Sequence, residues 1–268
     1  MENPADDFGV IYSATGQKFV DEAVRSARSL KQVMPDLPVT LYTDLTEVPA
    51  GVFDVIEIIE HPHYSTRDKI QPLCDPPYQR TLYIDTDTYI AEPFYEVFDA
   101  LQRFDIIFTH APGRYRTKFE EIPDCFTEPN GGLIGVNRNQ RALKAMASWK
   151  LEYEHQLEAT PNNKSDQGVL RKAIYESDAS IYVMPPEYNF RCEMPAFLGA
   201  RLKAKILHGR KGDLASIAEI ANSSEKRRIV MPGVLLPLRN ELLVSRRPWH
   251  ILAKIHTRLS HMIKRFTQ

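Results

Sequence analysis

A chain of 268 residues, 43% hydrophobic and 26% charged, carries enough apolar surface for one large α/β core and too much for a disordered chain. Its 12 Gly and 19 Pro follow no period, no apolar run reaches the ~18 residues of a membrane-spanning helix, and the acidic start does not read as a signal peptide. The net charge of −1 hides an asymmetry, because residues 201–268 hold 15 Lys and Arg against four Asp and Glu, which implies an acidic body and a basic tail that meets something anionic.

Residues 8–13 read as a buried strand, and residues 17–34 as a helix with Phe19, Ala23, Ala27 and Leu30 on one face. Residues 39–43 form a second strand ended by Asp44, and residues 52–59 a third. Residues 66–74 read as a short helix stopped by Asp75-Pro76-Pro77, and residues 80–85 as a fourth strand. Strands alternating with helices imply a mainly parallel, twisted sheet covered on both faces. Ligands of such sheets bind beyond the carboxyl ends of the strands, so Tyr12, Ser13, Ala14, Thr15, Asp44 and residues 85–87 are expected on one rim.

Further on, strands are expected at 105–109, 131–136, 181–184 and 204–208, with a polar loop over 111–129. One helix is expected over 138–158 and another begins with Ser165 as its N-cap. No internal repeat is visible, and a boundary is expected within 212–235. That divides the chain into a body, residues 1–212, and a basic helical extension, residues 213–268. Three cysteines without CxxC spacing predict neither a disulfide framework nor a zinc site, and point to a reducing cytoplasm.

The segment Thr81-Leu-Tyr-Ile-Asp-Thr-Asp-Thr-Tyr-Ile90 carries the strongest chemical signal. Side chains two apart on a strand share a face, so Asp85 and Asp87 converge while Thr86 turns away. Two carboxylates at a strand end repel each other and call for a cation; Mg²⁺ or Mn²⁺ suits oxygen ligands with open positions and bridges to a diphosphate. His61-Pro-His63 has metal-like spacing but reads as a surface turn, and no P-loop, GxGxxG, GxSxG or HExxH motif is present.

Over roughly residues 8–211 the sequence resembles nucleotide-sugar glycosyltransferases of the GT-A fold, especially family eight, the glycogenin and bacterial lipooligosaccharide galactosyltransferase type. Leu82-Tyr-Ile-Asp-Thr-Asp-Thr-Tyr-Ile90 is similar to that family's metal-binding strand, and Lys69 in Arg67-Asp-Lys-Ile-Gln-Pro-Leu73 to its donor-site lysine. Asn130-Gly-Gly-Leu-Ile-Gly-Val-Asn137 resembles its Asn-Ser-Gly strand with Gly131 in place of Ser, and Asp166-Gln167 resembles its Asp-Gln pair. His208-Gly-Arg-Lys211 resembles the stretch that holds its third metal ligand, in a shortened form.

The resemblance implies a metal-dependent hexosyltransferase that uses a nucleotide diphosphate donor, with UDP favoured, Mn²⁺ or Mg²⁺, and a saccharide or glycolipid acceptor; it implies no nucleic acid. Asp85, Asp87 and His208 would hold the metal. Arg67, Lys69, Thr86, Arg210 and Lys211 would meet the donor, Lys69 and Arg67 either at its phosphates or by orienting Asp85. Tyr12 to Thr15 would offer amides, hydroxyls and a ring to the nucleoside, and Asp44 would accept from a base N–H. Asn130, Asp166 and Gln167 would line the sugar pocket as the catalytic group. Family eight implies retention of configuration, and Asp124, Glu128 and Glu193 are the alternatives as an inverting base. Residues 249–266 place Trp249, Leu252, Ile255, Leu259, Met262, Ile263 and Phe266 at helical spacing among Lys and Arg, the pattern of a helix on an anionic membrane surface and so of a peripheral protein at the cytoplasmic face. Two other readings compete: a haloacid-dehalogenase-type phosphatase with Asp85 as nucleophile, and a non-catalytic nucleotide- or sugar-binding module at a membrane.

Overall fold

The structure, a computed structural model, describes residues 7–113, 117–192, 196–210, 212–231 and 234–236. The chain opens as strand, helix, strand, strand: β1 (Phe8–Ala14), α1 (Gln17–Val33), β2 (Val39–Thr43) and β3 (Val55–Ile58). It continues through α2 (Arg67–Cys74), β4 (Arg80–Ile84), β5 (Thr88–Ile90), α3 (Glu96–Arg103), β6 (Ile106–His110) and β7 (Pro129–Asn137). Then come α4 (Gln140–Ala159), α5 (Gln167–Tyr175), β8 (Ile181–Val183), a 3-10 turn (Pro186–Asn189), β9 (Phe190–Arg191), β10 (Ala196–Leu198), β11 (Ile206–His208), α6 (Leu214–Asn222), β12 (Arg228–Met231) and β13 (Val234–Leu236).

A seven-stranded sheet in the order β3-β2-β1-β4-β7-β6-β8 forms the centre. All its pairings are parallel except those of β7, which runs antiparallel to both β4 and β6. Period-two alternation sends Val10, Tyr12 and Ala14 to the face covered by α1 and α3, and Ile11 to the face covered by α2, α4 and α5. Both faces of the central strands are covered, which is why those strands read as mostly apolar and β-branched. Trp149 of α4 is fully buried, and its Nε1–H donates to the Asp166 carbonyl at 3.1 Å, tying the second core to the start of α5. Truncating such a tryptophan to Ala costs about 3–5 kcal/mol.

The expected mainly parallel α/β sheet is present, with differences in detail. The third strand is shorter than expected, and its side chains are exposed because β3 is an edge strand. Phe19 stays partly exposed while Ala23, Ala27 and Leu30 of the same helix are buried. Asp166, not Ser165, occupies the N-cap of α5, and neither side chain caps it. α4 is capped by Asn139, whose Oδ1 accepts from the N–H groups of Arg141 and Ala142, both at 3.1 Å. Beyond residue 212, Ala218 and Ala221 of α6 pack with Phe190, Leu198 and Leu207 in a third apolar cluster. Lys211, Glu193 and the expected helix over 249–266 lie outside the described residues.

Asp105 ties β6, β8 and α4 together. Its buried carboxylate accepts from Arg141 Nε at 2.9 Å, Asn139 Nδ2 at 2.7 Å, and the Ser180 N–H and hydroxyl at 2.7 and 2.9 Å. Burial pushes the carboxyl up, but these donors outweigh it and bring it down to about 2. A carboxyl that titrates below its unfolded value of 3.8 stabilises fully above that pH, and the contribution is lost as pH falls toward 2. Asp105→Asn is therefore expected to cost about 2 kcal/mol at neutral pH. Urea unfolding across a pH series should show its gap from the parent constant above about pH 4 and narrowing below it; a gap that widens on acidification contradicts this.

Candidate functional site

β4 is buried along its length between β1 and β7, so its apolar run delivers Asp85 to the carboxyl edge of the sheet. There the chain turns sharply. The Asp85 N–H donates to the Gly132 carbonyl at 2.9 Å, and Thr88 Oγ1 donates to the Asp85 carbonyl at 2.8 Å. β5 leaves the main sheet and pairs antiparallel with β11, setting His208 opposite Thr88, and the Gly209 N–H closes on the Asp87 carbonyl at 2.9 Å. Asp85 and Asp87 thus converge from a turn and not from two same-face positions on a strand, a correction to the period-two argument. His208 Nε2 lies 3.3 Å from Asp87 Oδ1 and 3.7 Å from Asp85 Oδ2. One ligand atom from each of the three residues falls within 4.8 Å of the others. Two carboxylates and an imidazole nitrogen make a donor set that fits a divalent ion such as Mn²⁺ or Mg²⁺ with open positions.

The charges around this triad are held in place. Tyr83, on β4, donates to Asp85 Oδ1 at 2.6 Å. Arg210 reaches Asp87 Oδ2 at 3.2 Å and Glu22 Oε2 at 3.1 Å, and Thr86 Oγ1 donates to that same Glu22 oxygen at 3.0 Å. Arg191 Nη1 stands 3.1 Å from both ring nitrogens of His208. Burial raises the Asp87 carboxyl, but His208 and Arg210 outweigh it and bring it down to about 2.

The triad sits where two lobes of one cleft meet. The first lobe, about 380 Å³, runs along the β1 turn past Ser13, Ala14, Thr15, Phe19 and Tyr64. The second, about 530 Å³, is lined by Glu128, Asn130, Gly131, Asp166, Gln167 and Arg191. Lys69, Asp85 and Arg210 border both. Lys69 is buried and forms an ion pair with Asp166 at 2.8 Å while donating to the Gly131 carbonyl at 3.1 Å. Burial pulls its ammonium down, yet Asp166 and Asp85 outweigh that and hold it above the usual lysine range. Removing one partner of such a buried pair costs about 3–5 kcal/mol.

Most of the residues singled out in the sequence meet at this cleft: Asp85, Asp87, His208, Lys69, Thr86, Arg210, Asn130, Asp166, Gln167 and the 13–15 turn. The hydroxyls of that turn are already engaged by α2, Ser13 with the Asp68 carbonyl at 3.0 Å and Thr15 with Asp68 Oδ2 at 2.8 Å. Three expectations are corrected. Tyr12 is in the core with its hydroxyl on Ser26 Oγ at 2.9 Å, because it shares the inward face of β1 with Val10 and Ala14. Arg67 turns away to Glu154 at 2.9 Å and lines a separate cavity, since positions two apart on a helix face opposite sides. Asp44 lines neither lobe and accepts from the Gly16 N–H at 2.7 Å, fixing the turn where Gly16 has φ 82°. Of the candidate bases, Glu128 lines the second lobe and Asp124 is exposed outside both.

Sequence reasoning missed Glu22, Asn189 and Arg191. Asn189 and Arg191 follow a Pro-Pro turn with no motif around them, and Glu22 reads as one more polar residue of an amphipathic helix. Tyr83 was within reach, two residues before Asp85 on the same strand.

No family model and no curated relative matches the sequence. Among solved structures, the chain is similar to the galactosyltransferase LgtC in complex with donor and acceptor sugar analogs, with a TM-score of 0.51 and 12% identity over 88% of this chain and 99% of that one. An active-site mutant of LgtC gives a TM-score of 0.51 and 12% identity, covering 76% of this chain and 88% of that one. The glycosyltransferase GlyE of Streptococcus pneumoniae gives 0.50 and 13%, covering 68% of this chain and 47% of GlyE. These likenesses establish the fold, which is the GT-A fold of those enzymes.

Gly132 is the backbone position that lets the triad close. A Cβ there would stand 2.3 Å from His208 Cε1 and 2.6 Å from Asp85 Oδ2. Gly132→Ala must therefore push two proposed ligands apart and is expected to weaken Mn²⁺ binding roughly tenfold or more. Titration of the ion followed by electron paramagnetic resonance measures this, and parental affinity in the variant contradicts the assigned geometry.

Proposed function

We propose that the protein is a metal-dependent glycosyltransferase, moving a hexose from a nucleoside diphosphate donor, with UDP favoured, to a hydroxyl on a saccharide or glycolipid acceptor. The observation that carries this reading is the position of Asp85, Asp87 and His208 at the junction of the two lobes, on a fold shared with glycosyltransferases. Those three residues would hold Mn²⁺ or Mg²⁺, which supplies charge neutralisation to a diphosphate as it leaves. The first lobe, with the backbone of residues 13–15 and the exposed rings of Phe19 and Tyr64, suits a nucleoside. Arg210 at the junction adds a cation for the diphosphate, in a site where preorganised charge is worth more than in water.

The second lobe suits the sugar. Asn130, Asp166 and Gln167 present polar groups whose orientation is fixed: Lys69 holds Asp166, and Gln167 Oε1 accepts from the Gly131 N–H at 3.2 Å and Asn130 Nδ2 at 3.3 Å. Glu128, buried in this lobe and accepting from the Thr117 N–H at 3.3 Å, would be the base should the transfer invert configuration. The likeness to glycosyltransferases supports transfer over phosphoester hydrolysis at Asp85 or binding without chemistry. The basic amphipathic stretch over 249–266 would bring the enzyme to an anionic leaflet, where a glycolipid acceptor is presented.

A thermal-shift panel of nucleoside diphosphates with and without Mn²⁺ tests the reading. A ligand at a hundredfold excess over its Kd stabilises by about 2.7 kcal/mol. UDP with Mn²⁺ should accordingly raise Tm by about 5 °C or more. Asp87→Asn should abolish the Mn²⁺-dependent part and most donor turnover. A panel in which no nucleotide stabilises the protein contradicts the proposal. For the tail, deletion of residues 245–268 should abolish sedimentation with anionic liposomes and leave donor hydrolysis nearly intact; unchanged sedimentation rules the membrane contact out.

A further inference from the structure

The hydrogen-bond polarity around His208 is dictated from the backbone. The Gly132 N–H can only donate, and it donates to the Asn130 side-chain oxygen at 3.0 Å. The Asn189 atom 3.0 Å from that same oxygen must then be the amide nitrogen, which also donates to Thr109 Oγ1 at 2.8 Å. The Asn189 oxygen is left facing His208 Nδ1 at 2.7 Å, closer than the donor Arg191 Nη1 at 3.1 Å from either ring nitrogen, which assigns a proton to Nδ1. Asn130 is braced at its other end, because its Nδ2 donates to Gln167 Oε1, itself fixed by the Gly131 N–H. A directed chain of amides thus runs from two glycine N–H groups of β7 to the far side of the imidazole, and all of Asn130, Asn189, Thr109 and His208 are buried.

We infer that Asn189 is a positioning residue that keeps a proton on His208 Nδ1, so that Nε2 is the nitrogen turned toward Asp85 and Asp87 and offered to an ion placed between them. This rests on the metal-dependent reading above and adds to it a link between lobes: the residues that face the sugar are the same ones that set the ligand on the metal side. The partner of a metal-bound histidine's second nitrogen typically controls metal affinity by 10–100-fold. Asn189 lines neither lobe; it acts on the metal side through His208 and braces the sugar side through Asn130.

The test uses ¹⁵N-labelled, metal-free protein and Mn²⁺ alone. Two-bond nitrogen–proton correlation spectra above pH 8 should show one histidine of the eight with a proton held on Nδ1, and its signals should vanish in His208→Gln. Asn189→Leu removes the acceptor and should release the tautomer and weaken Mn²⁺ binding about 10–100-fold. Asn189→Asp keeps the acceptor for Nδ1 but loses the donor to Asn130, and should recover part of that loss, which a purely structural role for Asn189 does not predict. A wild-type His208 with Nδ1 bare overturns the inference without any variant, and so does a folded Asn189→Leu that binds Mn²⁺ like the parent. If Asn189→Leu does not fold, the wild-type spectrum and Asn189→Asp decide. Wild-type protein that binds no Mn²⁺ would sink the metal-dependent reading, while the tautomer would still decide this one.

Discussion

Three residues of backbone pairing between β5 and β11 carry His208 back across the sheet to the turn that ends β4. That pairing competes with the simpler option of extending β4 straight into solvent. The turn is held by backbone bonds from Asp85 to Gly132 and from Gly209 to Asp87, so the two carboxylates are fixed before any ligand arrives. Like charges this close repel, and the surroundings offset the repulsion with the Tyr83 hydroxyl, the Arg210 guanidinium and the His208 ring. A divalent ion does the same with more charge, which is the physical reason to assign one here.

The reversed strand β7 supplies the second half of the arrangement. Because it runs antiparallel to β4, its amino-terminal half comes to the same edge of the sheet as Asp85, and its two glycines there let other groups approach the backbone. Gly132 admits His208 and Asp85, and Gly131 admits Lys69 and Asp166. The N–H groups of the same two residues orient the Asn130 and Gln167 amides. One strand end therefore fixes the proposed metal side and the proposed sugar side together, and this preorganisation is what electrostatic stabilisation of a leaving diphosphate requires.

The sheet was legible in the sequence because burial on both faces leaves short runs rich in apolar and β-branched residues, as at Val39–Thr43 and Thr81–Ile84. The direction of β7 was not legible, since a strand's sequence is the same read against either neighbour. The site residues on strand ends and in motifs were found, with Asp85, Asp87, Asn130 and His208 among them. Where the sequence reading failed, side-chain direction was the missing quantity. Tyr12 lies at the correct end of β1 but on its inward face, and Arg67 lies on the correct helix but on the side away from the cleft. Asn189 and Arg191 reach the site only through the packing of the 3-10 turn against β11 and β6, for which no local pattern exists.

The most direct test of this account is the position of the ion itself. Crystals grown with Mn²⁺ and UDP, measured at a wavelength where manganese scatters anomalously, would locate it without reference to activity. A single peak within bonding distance of Asp85, Asp87 and His208 Nε2, with the diphosphate toward Arg210 and the nucleoside along residues 13–15, is the predicted result. A peak bound to other residues, or UDP seated with no manganese at the triad, would contradict the account.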